Sequence, residues 1–387
     1  MQIWRCSNKA CKWNKTSSLV RQLSGTMHLD LIKLQAENGA NTSYRKAANG
    51  LTRTVGKRRI NNHSRIRSVT NTVGNILAEH QLKDEGQVLE TDEVSYKSSS
   101  YNKDDTTSIF PRAQLEEKHL NIPEDSQKIA AEALCTAVDG GYVHDANNTG
   151  KNFEVMMGKV FNPKNIVRLD KHHTQITKKH CAGSGKYDKQ KTMKANLVKA
   201  AKEEGIDKEK TTLTALADGA KNCWHVIKAL EPLCLLMVCI LDWFHVGKYI
   251  KQVKAKLPIF VPQLDKIKLL LWHGCVEESL VKINELLKLV TKEEDLRIIN
   301  NFHEYIFENK KYIVDYDERS NKGLPYTSHV AESTVEHLLN DRCKRKQKMQ
   351  WSRDGIHAVI QIRVSQASGD WDKDWENVIK PKYQAAA

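Results

Sequence analysis

The second half of the chain carries short apolar runs that predict the buried strands of an α/β sheet. Runs at 133–138, 213–217 and 233–241 end abruptly at polar or glycine residues, which is typical of strands covered on both faces. Segments 153–161 and 166–169 have a similar character and predict neighbouring strands. A mixed α/β domain is therefore expected to begin near residue 131.

Three of these runs are followed directly by an aspartate, which suggests that the strand ends share one site. Asp139 and Asp218 each precede a glycine, and Asp242 comes three residues before His245. A carboxylate just beyond a buried strand lies at the edge of the sheet where α/β proteins build their sites. The alternative for Asp139 and Asp218 is an ordinary turn, because Asp-Gly is a common turn pair.

The rest of this half has helical periodicity. Residues 191–204 predict a helix, and residues 255–315 are strongly helical without any strand signal, which predicts an all-helical insertion. Another helix is expected to open within 328–336 and to reach Arg342. Its first turn offers two glutamates: Glu336 completes a capping-box pattern with Ser333, so Glu332 is the better candidate for chemistry.

Three short helices are predicted within the first 80 residues. The first ends near Asn38-Gly39, the second is capped by Thr42 or Ser43, and the third by Asn62 or Ser64. Three helices at this spacing are typical of a helix-turn-helix unit, with a plain three-helix bundle as the alternative. The polar residues that would meet DNA are Arg45, Lys46, Asn62, His63, Arg65 and Arg67.

The distribution of charge favours an anionic partner. The formal net charge is +14 at pH 7. Residues 1–80 hold 14 Lys and Arg against 3 Asp and Glu, whereas residues 81–130 hold 6 against 11. Such a basic end indicates a nucleic-acid-binding module, although a solvated basic surface is the alternative. The acidic stretch predicts a linker.

The cysteines and the apolar runs exclude two other classes of protein. Nine cysteines without a C-x-x-C pair argue against a disulfide scaffold or a complete zinc ribbon, and Cys6 and Cys11 form at most half of a zinc site. The N-terminus has no secretory apolar region, and the longest apolar run is far shorter than the roughly 20 residues that span a bilayer. We therefore expect a soluble protein without a membrane partner, located in the cytoplasm and associated with the nucleoid.

Asp139, Asp218 and Glu332 together predict a metal site for phosphodiester chemistry. Three hard oxygen ligands on rigid elements suit Mg²⁺, which takes only a few carboxylates and keeps room for a phosphate. Two such ions about 4 Å apart would stabilise the attacking and leaving oxygens of an in-line displacement. A basic chain with this site points to nuclease or strand-transfer chemistry.

The order of these motifs resembles the DDE transposases of bacterial insertion sequences, in the branch related to eukaryotic Mutator elements. The resemblance rests on six motifs: Asp218-Gly219-Ala220, the Asp242-to-His245 spacing, Ser328 to Ser333 around the glutamate, Arg342-x-Lys344, Trp351-Ser352, and Ser43 to Ala48 in the helical region. The resemblance covers about residues 30–80 and 131–375. Each motif is weak alone, but the set occurs in the family's order.

The resemblance implies a ribonuclease-H-like catalytic domain with an all-helical insertion, preceded by an all-α helix-turn-helix domain. It implies catalytic and metal-binding roles for Asp139, Asp218 and Glu332, with Asp242 and His245 in support. It also implies Mg²⁺, replaceable by Mn²⁺, and binding to terminal inverted repeats and target DNA by an oligomer that synapses both ends. Further phosphate contacts are expected from Arg342, Lys344, Lys346, Lys348 and Arg353, with a solvated charge run as the alternative.

These expectations divide the chain into six parts. They are a basic N-terminal segment (1–28), the helix-turn-helix domain (29–82) and an acidic linker (83–130). The first part of the catalytic domain (131–254) and the helical insertion (255–325) follow, and then a C-terminal catalytic part with the glutamate helix and a basic tail (326–387).

Two rival functions stay open at this stage. One is a transposase-derived protein that binds specific DNA and no longer catalyses, although the presence of all three carboxylates argues against it. The other is a ribonuclease-H-like nuclease or resolvase, which the helix-turn-helix unit and the helical insertion disfavour.

Overall fold

The computed structural model describes residues 29–55, 61–92, 130–148, 150–168, 174–328, 334–344 and 349–385. By its internal contacts the chain forms two compact units. Unit 1 comprises Met1–His80 and Asp354–Ala387, and unit 2 comprises Gln81–Arg353. The predicted N-terminal segment at 1–28, with Cys6 and Cys11, lies outside the described residues, as does most of the predicted acidic linker.

Unit 2 is built on a mixed sheet of six strands. Its elements are β1 (Ala133–Asp145), β2 (Asn152–Phe161), β5 (His180–Ser184), β6 (Thr212–Ala217), β7 (Leu236–Leu241) and β8 (Gln350–Trp351). The strand order is β5-β2-β1-β6-β7, and β8 pairs with the far end of β1. β1, β2 and β5 form an antiparallel meander, while β6 and β7 run parallel to β1. A separate two-stranded sheet joins β3 (Ile166–Arg168) to β4 (Thr174–Ile176).

Helices cover both faces of the large sheet. On one face α4 (Lys191–Glu203) packs against β2, where its Leu197 and Met193 approach Gly158. On the other face a helical segment at 334–343 packs against β1. This segment comprises the π-helix Glu336–Asn340 and a last turn, α11 (Asp341–Cys343). Because both faces are covered, the inner strands are continuous apolar runs, as the sequence predicted.

The segment after β7 is helical, as expected for the insertion. α5 (Lys221–Ile227) precedes β7, and after it come α6 (Trp243–Lys256), α7 (Val261–Trp272), α8 (Val276–Leu289), α9 (Glu293–Asn309) and α10 (Tyr316–Asn321). Their buried faces, for example Leu264, Ile283 and Phe302, join the hydrophobic core of the sheet. Trp272 packs among Trp243, Tyr316 and Tyr326, so this tryptophan belongs to an aromatic cluster.

The strands differ from the sequence expectations in three places. β1 does not end at Val138 but continues to Asp145, so the prediction that Asp139 follows the end of its strand is wrong. The run at 233–241 becomes a strand only from Leu236, because Pro232 closes a 3₁₀ turn that includes Leu233. β5, whose residues His180–Ser184 are all buried, carries no apolar run that would have revealed it.

Unit 1 is helical and is assembled from both ends of the chain. Its N-terminal helices are α1 (Leu29–Asn41), α2 (Tyr44–Val55) and α3 (His63–Asp92). Its C-terminal helices are α12 (Arg353–Ser368), α13 (Trp371–Asp374) and α14 (Lys380–Ala385), with a π-turn at Trp375–Ile379. Ile32, Ala36 and Val73 pack with Ile362 and Trp375 in one core. Arg363 also donates a hydrogen bond to the Ala40 carbonyl (3.2 Å).

Two boundaries of the sequence division therefore differ from the structure. Residues 354–387, assigned above to the catalytic domain, pack with the N-terminal helices. α3 continues to Asp92, ten residues into the predicted linker. The expected caps are present: Asn62 accepts a hydrogen bond from the Arg65 N–H (2.8 Å) and Ser43 from that of Lys46 (3.4 Å). None of the described helices has both the length and the apolar character to cross a membrane.

Candidate active site

Asp139, Asp218 and Asp242 lie at the same level on three adjacent strands. Val138 pairs with Ala217, and Ala217 pairs with Leu241, in two parallel ladders of matched register. The three aspartates directly follow these paired residues in the sequence: Asp139 follows Val138, Asp218 follows Ala217, and Asp242 follows Leu241. Neighbouring strands are about 4.8 Å apart, so Asp139 and Asp218 are near neighbours, while Asp242 lies a further strand away. The structure thus brings together the two predicted catalytic aspartates and the predicted supporting aspartate.

Asp139 and Asp218 have few partners, and each is held mainly by its own turn of backbone. Asp139 accepts a hydrogen bond from the N–H of Gly140 (2.7 Å), and Asp218 accepts one from the N–H of Ala220 (2.9 Å). Burial raises the pKa of Asp139; the nearby His245 lowers that pKa, and the Asp218 carboxylate raises it. Both carboxylates are half-buried and close enough for the charge of Asp218 to act on Asp139. As hard oxygen donors with open positions, they fit a Mg²⁺ ion.

The turn that carries Asp218 is fixed by the helical insertion. Gly219 has a φ of +98°, and a side chain there would also meet the Asn309 amide at 2.8 Å. Tyr305, on the same helix α9, donates a hydrogen bond to the carbonyl of Asp218 (3.0 Å). The buried Cys223 thiol, whose pKa is raised by burial and by Asp218, hydrogen-bonds the Asp218 carboxylate. The insertion therefore positions one of the two partner-poor aspartates.

Asp242 has a different environment, because its carboxylate is buried and fully engaged. One oxygen accepts hydrogen bonds from the N–H groups of Phe244 (3.1 Å) and Ser328 (2.9 Å), and the other accepts from the Ser328 hydroxyl. Asp242 is thus the N-cap of α6 and also anchors a segment 86 residues downstream. His245 Nδ1 lies 3.9 Å from the Asp242 carboxylate and has no hydrogen-bond partner within the described part of the chain.

A small cavity beside Asp139 is lined by residues of the sheet together with Ser328 and Thr334. Ala137, Asp139, Met157 and Lys159 line it from the sheet, and Ser328 and Thr334 close it. The helical segment that starts at Thr334 sits directly on β1, since a side chain at Gly141 would clash with Leu339 and Val335. Gly141, inside β1, is therefore required for this close approach.

Lys159 is a charged residue of this cavity that the sequence analysis missed. Its side chain is 2% exposed. Burial lowers the pKa of Lys159 to about 8, with a further contribution from Lys179. The signal in the sequence, a lone lysine inside the apolar run of β2, is too weak to separate a buried cation from a surface residue. Glu154 was also missed; both of its oxygens lie 2.7 Å from the Asn222 amide of α5.

Glu332, the third predicted metal ligand, lies outside the described residues. Within the residues that the structure describes, no cluster of three or more His, Cys, Asp or Glu is arranged to hold a metal ion. Glu336, the competing glutamate, accepts a hydrogen bond from the Asn340 amide (2.7 Å) one turn later. The preference for Glu332 over Glu336 stays a prediction.

The predicted phosphate contacts of unit 2 have mixed environments. Arg342 is 3% exposed and stacks over Trp351, with 5.0 Å to the ring centre, so its burial does not favour a phosphate contact. Arg353 is half-buried between the rings of Phe153 and Tyr187. Lys344 is exposed. Lys346 and Lys348 fall in a stretch that the structure does not describe.

In unit 1 the predicted DNA-binding residues share an open surface. Arg45 and His63 line a groove between α2 and the start of α3, together with Ala48, Asn49, Thr52, Arg53, Asn61 and Asn62. The side chains of Arg45, Lys46, Asn62, His63, Arg65 and Arg67 are all exposed. The groove is therefore polar, basic and accessible.

Comparison with protein families finds a match over the second half of the chain. Residues 203–379 match the model of an uncharacterised protein family, UPF0236. This segment contains Asp218, Asp242, Glu332 and the helical insertion, but not Asp139. Neither the curated proteins nor the solved structures include a significant match.

Proposed function

We propose that this protein is a DNA transposase that binds the inverted-repeat ends of an insertion sequence and catalyses phosphodiester hydrolysis and strand transfer. The observation that carries the proposal is the alignment of Asp139 and Asp218 at one level of adjacent parallel strands. The two partner-poor carboxylates would hold Mg²⁺, or Mn²⁺ in its place. The proposed catalytic domain is ribonuclease-H-like, and the proposed complex is an oligomer on both DNA ends.

The topology of the sheet supports this proposal. A three-stranded antiparallel meander whose first strand is followed by two parallel strands is the arrangement expected of a ribonuclease-H-like domain. In this arrangement the middle of β1 and the end of β6 meet, and each carries an aspartate. The helices between β7 and the 334–343 segment occupy the position of the proposed insertion.

Chain connectivity supports Glu332 as the third ligand. Thr334 lines the cavity beside Asp139 and is two residues from Glu332, so their Cα atoms are at most about 7 Å apart. On the other side Ser328, which hydrogen-bonds Asp242, is four residues before Glu332, so the Cα atoms of Ser328 and Glu332 are at most about 14 Å apart. Asp242 thereby holds Ser328, which precedes Glu332 by four residues in the sequence, and this gives the proposed supporting residue a defined task.

The proposed division of labour follows from these environments. A metal bound by Asp139 and Asp218 would supply charge stabilisation to the attacking and leaving oxygens of the phosphate. α9 holds the Asp218 turn through Tyr305 and Asn309, while Asp242 fixes the start of α6 and Ser328. His245 lies close enough to Asp139 to stabilise its ionised form.

DNA recognition is proposed for unit 1. Exposed Arg and Lys at the groove would contact phosphates, and Asn62 and His63 at the start of α3 would reach base edges. The basic excess of residues 1–80 is consistent with this role.

The test is nicking of a supercoiled plasmid that carries the DNA flanking the gene, with and without Mg²⁺. Wild-type protein is expected to nick at repeat boundaries in a metal-dependent manner. Asp218→Asn and Asp139→Asn should each lower the rate at least a hundredfold, because the pair loses a charged ligand. Asp265→Asn, which changes an exposed aspartate of α7, is the matched control and should cut at the wild-type rate.

The rival functions give different outcomes. Specific binding of the repeats without nicking, equal in wild type and Asp218→Asn, would identify a DNA-binding protein without catalysis. Metal-dependent cutting that ignores the repeats and follows DNA structure would identify a nuclease or resolvase. Either result contradicts the transposase proposal.

A further inference from the structure

An exposed tyrosine lies on the loop between β5 and α4, which follows the carboxyl end of β5, and Asp218 and Asp242 follow the carboxyl ends of β6 and β7. Tyr187 is 88% exposed. β5 runs parallel to β1, because both strands are antiparallel to β2. Ser184, the last residue of β5, pairs with Met156 of β2, and Met156 pairs with Gly140 of β1. The loop therefore leaves the sheet at the level of Asp139, two strands or about 10 Å away.

The Tyr187 ring is supported from beneath by an arginine. The guanidinium of Arg353 lies between two rings, 4.4 Å from the centre of Phe153 and 5.1 Å from that of Tyr187. It also donates a hydrogen bond to the carbonyl of Gly185 (3.4 Å). Phe153 is buried, so the stack of Phe153, Arg353 and Tyr187 begins at a core residue and ends in the exposed Tyr187 ring.

The loop that carries Tyr187 is held in one shape. The Asp188 carboxylate accepts a hydrogen bond from the Thr192 N–H (3.0 Å) in the first turn of α4. The Gln190 side chain hydrogen-bonds His225 (2.6 Å) and reaches the sulfur of Met156 (3.5 Å). Lys189 and Gln190 have φ values of 53° and 68°, which residues other than glycine adopt only where their surroundings impose it.

The surroundings of the ring are basic. Lys186 and Lys189 are exposed on this short loop and Lys191 is exposed at the first residue of α4, while one oxygen of the loop's acid, Asp188, accepts from Thr192. A flat exposed ring among cations matches the two parts of a nucleotide: the base stacks on the ring, and the adjacent phosphates meet the lysines.

We propose that Tyr187 is a stacking platform for an unpaired DNA base a few nucleotides away from the phosphate that is cleaved. This inference rests on the proposed function for the identity of the substrate. Within a paired duplex both faces of each inner base are stacked on neighbouring bases, so the platform takes only bases that have left the duplex. The stack on Arg353 and the fixed loop present the ring in advance of binding.

The test measures binding without cleavage, using the full chain in EDTA. Fluorescence anisotropy would compare a fluorescein-labelled 30-base-pair duplex with the same duplex carrying four unpaired nucleotides in one strand. Tyr187→Leu should weaken binding to the DNA with unpaired bases about tenfold or more, and binding to the paired duplex by less than about twofold. Tyr187→Phe keeps the ring and should retain wild-type affinity. Phe307→Ala removes an exposed ring of α9 and should behave as wild type.

The outcomes separate this inference from the proposed function. Equal binding of the unpaired DNA by wild type and Tyr187→Leu, in a protein that nicks the plasmid normally, overturns the platform alone. A loss in Tyr187→Phe as large as that in Tyr187→Leu also overturns it, because the hydroxyl and not the ring would then be responsible. A wild-type protein that neither binds these DNAs nor nicks the plasmid overturns both.

Discussion

Asp139 and Asp242 lie at the same level of one sheet, two strands apart, yet their carboxylates have opposite environments. Asp242 is buried and accepts three hydrogen bonds from Phe244 and Ser328. Among the described residues Asp139 accepts only the N–H of its own neighbour, Gly140, and its pKa is raised by burial. The level within the sheet is thus shared, and the partners of each carboxylate decide between a structural task and a ligand-binding task.

The difference also has an energetic side. A buried carboxylate with complete hydrogen bonding stabilises the fold, and removal of such a group leaves its donors unsatisfied. A carboxylate with few partners that faces a second carboxylate opposes folding until a cation binds. Asp242 therefore belongs to the scaffold, and Asp139 belongs with Asp218 to the proposed metal site.

The largest expected effect is that of Asp242→Ala on stability. The change removes the N-cap of α6 and leaves the N–H and hydroxyl of Ser328 without their acceptor, which should lower the free energy of unfolding by about 4 kcal/mol. Urea denaturation followed by circular dichroism at pH 7 measures the loss.

Two milder variants sharpen this result. Ser328→Ala removes one hydroxyl and should cost about 1 kcal/mol, while Asp242→Asn keeps an acceptor for the two N–H groups and should fall between. A loss below about 1 kcal/mol in Asp242→Ala, combined with abolished nicking, would place Asp242 among the metal ligands and remove the contrast with Asp139.

Lys159 provides the second test, because its buried ammonium group lies on the face of the sheet that carries Asp139. Folding lowers its pKa from 10.5 to about 8, so the buried charge opposes folding below pH 8. This shift corresponds to about 3 kcal/mol. Lys159→Met should therefore raise the free energy of unfolding by up to that amount at pH 7. The gain should shrink as the pH rises from 8 towards 10.5, where the wild-type residue folds in its neutral form.

Urea denaturation of both proteins at pH 7 and pH 9.5 measures this convergence. Lys178→Met, which alters an exposed lysine before β5, is the matched control and should change stability little at either pH. If Lys159→Met is instead less stable at pH 7, the ammonium group is required to balance Asp242, and the scaffold aspartate is not self-sufficient.

The sequence predicted the parts of this comparison that depend on local patterns. The apolar runs before Asp218 and Asp242 are strands β6 and β7, and the helices of the insertion follow them. The N-caps Ser43 and Asn62 are also local features. Periodicity and capping act within a few residues, so a single sequence reveals them.

The parts that were not predicted depend on contacts between distant segments. Gly140-Gly141 has the pattern of a turn, but the approach of Leu339 explains a glycine inside a strand. The bond between Asp242 and Ser328 joins residues 86 positions apart. The pairing of β5 and the packing of residues 354–387 with the N-terminal helices are non-local as well. No local pattern encodes such contacts.

The smallest expected effect, and the one that separates the two aspartates most directly, is that of Asp139→Asn on stability. Because folding raises the pKa of Asp139 above its ordinary value of 3.8, the folded state holds the proton more tightly than the unfolded state. Ionised Asp139 therefore opposes folding at neutral pH, and its contribution to stability falls as the pH rises from 3.8 through the raised value. Asparagine keeps the acceptor for Gly140 without the charge, so the urea midpoint at pH 7 should rise.

The gain should shrink as the pH falls from 7 towards about 4, because the raised pKa lets the folded state take up the proton before the unfolded state does, and Asp265→Asn should show no comparable change. Lost nicking together with higher stability is the pattern expected of a ligand-binding carboxylate, whose function is maintained against the stability of the fold. A lower midpoint in Asp139→Asn would show that this carboxylate has stabilising partners as Asp242 does. Asp139 would then belong to the scaffold, and the metal site would have to be sought around Asp218 alone.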